Sequence, residues 1–417
     1  MKTKFRLIFL FCSIGFLSYG QQKNSILPDP LIFNNGTKVT TAKQWNARRE
    51  ELLQTFHSEM YGTSPDRPKN MRFEVFDTNK NALGGKATRK QITIHILEKG
   101  KEAKFDILLY IPNKAPHPVP AIIGINFVGN HAINADPGIK LSEAWVESSK
   151  NSPCTVNGKA TDACRGVNAK QWQVDSILDA GFALATMYRE EIASDRKEEM
   201  FKTGVHTLYP ELQNREDNFG TVAAWAWALS RGMDYLETDK DINSKKVAVF
   251  GFSRLGKAAL WAGANDTRFA LVISNESGAG GAKLFHRGIG ENIRRLNTVF
   301  PHWYAKSFRE YMDKDTLLPF DQHLILDLIA PRPIYIASAE GDKGSDPEGE
   351  FASAKEADII YRFLKTDGLP TIKIPALNTS IMGRIGYHIR TGGHDVTSFD
   401  WKQFLIFSNL HLQNKSH

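Results

Sequence analysis

The sequence predicts a doubly wound α/β fold: one catalytic-type domain whose loops are heavily elaborated. Three observations predict it. Short, continuous apolar runs recur along the chain, as expected for strands covered on both faces of a parallel sheet. Helical patterns fall between those runs. One run also leads through a glycine-flanked serine directly into a helix. In chain order, residues 21–85 read as a polar, irregular N-terminal extension packing on the core. Its single helix is expected at Ala42–Tyr61, with Trp45, Leu52, Leu53, Phe56 and Met60 on one side. The catalytic domain is expected over 86–417. Its strands are expected at Phe105–Pro112, Ala121–Phe127, Ala183–Tyr188, Lys246–Phe252, Leu271–Asn275, Pro333–Ala337 and Tyr387–Arg390, and its helices at Thr221–Leu236 and Leu255–Ala264. The stretches 129–175 and 284–325 are too long for simple connections and read as insertions over the sheet's working edge.

The 417 residues contain 41% hydrophobic, 24% charged and 11% aromatic side chains, the balance of an ordinary globular protein. That excludes a disordered, collagen-like or polytopic membrane chain. The formal net charge is +7, and residues 1–20 carry three of those charges on Lys2, Lys4 and Arg6. What remains is too weak to argue for nucleic acid, yet it leaves a mild attraction for acidic polysaccharide. Residues 1–20 read as a signal peptide. A basic start precedes the apolar run Leu7–Leu17, and Ser18-Tyr19-Gly20 offers a cleavage site before Gln21. The apolar run is too short to span a bilayer, so no membrane span is expected and the protein is expected to be exported, to the periplasm or beyond. Cys12 falls inside that run. In an oxidising compartment the other two cysteines, Cys154 and Cys164, are expected to pair across a polar surface insertion.

The chemistry concentrates in Gly251-Phe252-Ser253-Arg254-Leu255-Gly256-Lys257. A strand, a tight turn and a helix in succession form a nucleophile elbow, which raises Ser253 at the C-terminal edge of the sheet. The same letters spell the phosphate loop G-x-x-x-x-G-K. However, Ala258 stands where a Mg²⁺-ligating hydroxyl belongs, and Phe252, Arg254 and Leu255 are bulky for a loop that wraps phosphates. An elbow needs an acid and a base from neighbouring strands. Glu276 ends the next buried run, and Asp342 follows the run after that; either could orient a histidine. Among twelve histidines, His394 leads because it lies in the late glycine loop Gly392-Gly393-His394. His131, His302, His323 and His388 compete as structural histidines. Ser253, then Glu276 or Asp342, then His394 is the chain order of α/β-hydrolase triads. No spacing supports zinc.

Together these residues resemble carbohydrate esterase family fifteen, the glucuronoyl esterases. That family carries G-C-S-R-x-G-K, then E-S-G-x-G-G, then a late G-G-H. Here the matching stretches are Gly251–Lys257, Glu276–Gly281 and Gly392–His394, and the similarity covers roughly residues 100–410. The resemblance implies a three-layer α/β/α sandwich of the α/β-hydrolase type, without a metal or organic cofactor. It implies a substrate ester between the glucuronic acid carboxyl of xylan and a lignin alcohol. It also implies roles: Ser253 as nucleophile, His394 as base, Glu276 as acid and Arg254 at the oxyanion, with Lys257 and Glu291 as sugar-hydroxyl contacts. Two departures stand out. Phe252 replaces the usual Cys and is expected to be packing, pointing away from Ser253. Gly344 falls where many members place a Trp against the sugar, and Trp303 is the candidate substitute. A monomer is expected. The alternatives are an acetyl xylan or other carbohydrate esterase, or an inactive protein that grips acidic glycan.

Overall fold

A computed structural model describes residues 27–147 and 154–413, so the signal-peptide segment, residues 1–20, lies outside the described residues. One ten-stranded sheet organises the chain. Its strands are β1 (Met71–Ala82), β2 (Ala87–Glu98), β3 (Lys101–Pro112), β4 (Val119–Asn126), β5 (Ala183–Tyr188), β6 (Ile242–Phe252), β7 (Leu271–Asn275), β8 (Ile334–Ala339), β9 (Thr379–Met382) and β10 (Ile385–Arg390). They lie in the order β1-β2-β3-β5-β4-β6-β7-β8-β10-β9. From β5 to β10 every pairing is parallel; β1–β2, β2–β3, β3–β5 and β9–β10 are antiparallel. The parallel centre is made of the continuous apolar runs, and β5, β8 and β10 are buried at every position.

The longer helices are α1 (Ala42–Phe56), α2 (Thr221–Leu236), α3 (Arg254–Asn265), α4 (Ile293–Val299), α5 (His323–Ile329), α6 (Pro347–Phe363) and α7 (Ser398–Ser408). Two apolar clusters, one on each face of the sheet, give the three layers. One joins α1, α2, α3, α5 and α6, and the other packs α7 with Trp172 and Phe250.

Two boundaries differ from expectation. The extension does not stop at residue 85, because β1 pairs with β2 from Met71↔Ile96 to Ala82↔Ala87, so position 85 falls inside a hairpin. Composition hid this strand: β1 is an edge whose side chains are mostly exposed or half-buried, so it lacks an apolar run. The expected helix at 42–61 ends at Phe56 and finishes in one wide π turn, His57–Tyr61. That turn places Tyr61 flat on Trp261 of α3, ring centroids 4.3 Å apart and planes 10° apart. The Tyr61 hydroxyl donates to the Gly280 carbonyl at 2.8 Å. The N-terminal segment thus braces both the helix behind Ser253 and the loop behind Glu276. Trp261 is 1% exposed. Its replacement by alanine is expected to lower stability by about 3–5 kcal/mol, measurable as a reduced urea midpoint at unchanged slope.

Cys154 and Cys164 are joined as a disulfide. The bridge closes a small hairpin, Thr155–Val156 against Lys159–Ala160, within the first insertion. No helix among the described residues is long and apolar enough to cross a membrane.

Candidate active site

Loops from the C-terminal ends of β6, β7, β8 and β10 converge on a cavity of about 490 Å³. Ser253, Arg254, Glu276, Asp342 and His394 all line it. Ser253 sits at φ 57°, ψ −130° between β6 and α3. A non-glycine residue held in this region stores on the order of 1–3 kcal/mol of strain, a common feature of functional turns. The flanking glycines are dictated by space. A Cβ on Gly251 would lie 2.0 Å from the Leu255 carbonyl oxygen, and one on Gly256 would lie 3.0 Å from the Ser277 side chain. The Ser253 amide donates to the Asn275 carbonyl at 2.9 Å, fixing the elbow to β7. Arg254 opens α3, so its backbone N–H belongs to a helix N-terminus, where anionic charge is favoured.

His394 is gripped through one nitrogen by two acids. Its Nδ1 lies 2.6 Å from Asp342 Oδ2 and 3.1 Å from Glu276 Oε2. One atom from each of the three groups falls within 4.8 Å of the others. The Gly341 amide donates to the Gly392 carbonyl at 2.9 Å and so ties the Asp342 loop to the His394 loop. Glu276 has φ 47° and is 1% exposed. Its other oxygen accepts from Arg390 Nη2 at 2.5 Å. Of the five histidines weighed from the sequence, only His394 lines the cavity. His388 is buried against Asp400, His323 bonds the Pro28 carbonyl, His302 faces Asp195, and burial pushes His131 down to about 4.

Burial works against charge on His394, but its hydrogen bonds to Asp342 and Glu276 win and push its imidazole up to about 9. Burial raises Glu276 to about 7, against the pull of His394 and Arg390. For Asp342 burial again opposes ionisation, yet the bonds from His394 and Ser345 hold it below the usual carboxylate range. A sign follows for the pH profile. A base must be neutral to accept a proton, so kcat/KM of the free enzyme is expected to rise with pH to a midpoint of about 9. Asp342→Asn removes one stabiliser of the imidazolium and should move that midpoint to lower pH. A pH–rate series on both proteins checks the direction.

Cations line the same cavity. Arg254 Nη1 donates to Asp195 Oδ2 at 2.6 Å, and its guanidinium lies 4.9 Å from the Trp303 ring centroid and 5.2 Å from that of Phe300. Trp303, the candidate aromatic from the sequence, lines the same cavity. It is 2% exposed, stacks on Phe300 at 3.7 Å with planes 4° apart, and donates its Nε1 to Asp195. Phe300 is the half-buried aromatic lining the cavity, and the sequence reading missed it. Lys257 and Glu291 line the cavity too, with Lys257 set deep in its wall. That lysine is 3% exposed, and its Nζ already donates to the Ser277 and Ala279 carbonyls, each at 2.6 Å, and to Glu291 Oε2 at 3.3 Å. Its three protons are therefore satisfied inside the protein, and it shapes the wall together with Glu291. Phe252 packs, as expected, but on the His394 imidazole: the ring centroids are 4.6 Å apart. Asp195 and Arg390 were also missed, although Asp195 closes the charged run Arg189–Arg196 directly after a buried strand.

A mixed sheet between helical layers, an elbow serine and a carboxylate-held histidine define an α/β-hydrolase. The model for glucuronyl esterases of fungi matches residues 151–365. The carbohydrate esterase MZ0003, from an unknown prokaryotic organism, is 47% identical over 390 residues, 93% of this chain and 89% of that one. A glucuronoyl esterase from Solibacter usitatus superposes with a TM-score of 0.86 at 44% identity, covering 93% of this chain and 98% of that one. The 4-O-methyl-glucuronoyl methylesterase of Schizophyllum commune is 26% identical over 318 residues, 74% of this chain and 66% of that one. The chain belongs to the glucuronoyl esterase family, carbohydrate esterase family fifteen.

Proposed function

We propose that this protein is an exported serine esterase that cleaves the ester between a glucuronic acid carboxyl of xylan and a lignin alcohol, acting as a monomer. One observation carries the reading: a strained serine shares a cavity with an imidazole held by carboxylates and with the Arg254 guanidinium. With Nδ1 of His394 taken by Asp342 and Glu276, Nε2 is the nitrogen that accepts the Ser253 proton. Ser253 Oγ attacks the C6 carbonyl, and the electron pair moves to the carbonyl oxygen. That anion meets the Arg254 N–H at the start of α3 and the Arg254 guanidinium. The tetrahedral intermediate collapses, His394 returns its proton to the departing alcohol, and the uronoyl group stays on Ser253. Water then attacks the acyl-enzyme by the same route, releasing the uronic acid.

The wall favours a polar ring over a fatty acyl chain, since Arg254, Lys257, Glu291 and Ser345 line it alongside the Phe300 and Trp303 rings. The disulfide accords with export. A panel of benzyl and methyl glucuronates against acetylated xylose and acetylated xylan tests the substrate class. The uronate esters are expected to give the higher kcat/KM, and higher values for the acetyl esters would overturn the reading.

A further inference from the structure

Asp195 lies outside the lining of the cavity yet holds two of its lining residues, Arg254 and Trp303. It follows β5 and is 3% exposed. Its two oxygens take four donors from separate parts of the chain. Oδ2 accepts from Arg254 Nη1 at 2.6 Å and from Arg189 Nη1. Oδ1 accepts from Trp303 Nε1 at 2.7 Å and lies 3.3 Å from His302 Nε2. Trp303 and His302 come from the second insertion, Arg254 from the elbow and Arg189 from the end of β5, so one carboxylate gathers three loops.

This geometry restricts the guanidinium in two independent ways. The stacked Phe300 and Trp303 rings bound it on one side, with their centroids 5.2 and 4.9 Å from the guanidinium carbon, but leave its rotation free. The bond to Asp195 restricts that rotation, and the same carboxylate holds the indole Nε1 of the stack. Arg254 Nε is buried and has no hydrogen-bond partner in the protein. Because Arg189 shares Asp195, and itself lies 3.4 Å from Glu190, the Asp195 charge is divided between two cations and neutralises Arg254 only in part. We propose that Asp195 is the positioning residue of the oxyanion site: it locks the Arg254 guanidinium so that its remaining N–H groups face the oxygen that becomes negative when Ser253 attacks. This rests on the reading of Ser253 as nucleophile.

A double-mutant cycle over Asp195→Asn and Arg254→Ala tests it, with two readouts. One is the rate at which a neutral fluorophosphonate labels Ser253, which senses the oxyanion site whatever the natural substrate. The other is kcat and KM on benzyl glucuronate. Asp195→Asn is expected to slow both labelling and kcat on the order of 10²-fold, with KM little changed, as for loss of one oxyanion donor. Arg254→Ala is expected to lose at least as much, and the double variant should be no slower than Arg254→Ala alone. If Asp195→Asn shows no cooperative melt, Asp195→Glu replaces it in the same cycle, because it keeps the charge but displaces the carboxylate. A loss that recurs in full in the Arg254→Ala background, or no loss at all, overturns the proposal. Labelling of Ser253 without turnover of any glucuronate ester would defeat the substrate reading alone, and the labelling cycle would still decide the role of Asp195. Failure of Ser253 to label in the wild type would defeat both.

Discussion

In Ser253→Ala, turnover of benzyl glucuronate is expected to fall by on the order of 10⁶-fold, the loss found when the nucleophile of a triad is removed. KM should move little, because the hydroxyl is spent on attack and not on holding the sugar. The fold is expected to survive. Ser253 contributes its amide, not its side chain, to the bond with the Asn275 carbonyl, and alanine keeps that amide. Alanine at φ 57° stays strained, so a slightly lower melting temperature is expected alongside the lost activity. Steady-state kinetics with matched thermal melts check both. Retention of wild-type kcat in a folded Ser253→Ala protein would remove the nucleophile from this account.

The second large effect concerns the two acids. Glu276→Gln with Asp342→Asn is expected to lower kcat by about 10⁴-fold, as when a triad loses its carboxylate and the imidazole loses its tautomer and charge partner. Each single variant is expected to stop short of that loss by about tenfold or more, since the two acids are redundant and the other carboxylate still reaches Nδ1. Amide replacements are chosen for a structural reason. Arg390 is 3% exposed and donates to Glu276 Oε1, so truncating Glu276 to alanine would leave a buried cation short of a partner. A full collapse in one single variant, with the other at wild-type rate, would identify a single working acid.

Much of this site was legible in the chain because it depends on local geometry. The elbow was readable because Gly251 and Gly256 stand where a Cβ would strike backbone or a neighbouring side chain. The strand-terminal positions of Glu276, Asp342 and His394 followed from apolar runs ending in polar residues at one edge. What escaped depends on contacts between distant segments. Asp195 and Trp303 are 108 residues apart and meet only once the second insertion folds back over the edge. That contact also sets how the two aromatics are arranged: Trp303 has one face on Phe300 and its Nε1 on Asp195, and both rings line the cavity, with Phe300 the more exposed. Phe252 could be assigned to packing, but its partner, the His394 ring, could not be known from spacing. The β1 edge was missed for a related reason: a strand half open to solvent has too few apolar residues to announce itself.

The most direct test of the central claim is partitioning between water and methanol. If an acyl group on Ser253 is common to all substrates, the ratio of methyl glucuronate to glucuronic acid formed at fixed methanol is predicted to be the same from benzyl, phenyl and alkyl glucuronates, however different their rates. A ratio that changes with the departing alcohol would mean that water or methanol attacks while that alcohol is still attached, without a shared acyl-enzyme, and the mechanism built on Ser253 would be contradicted.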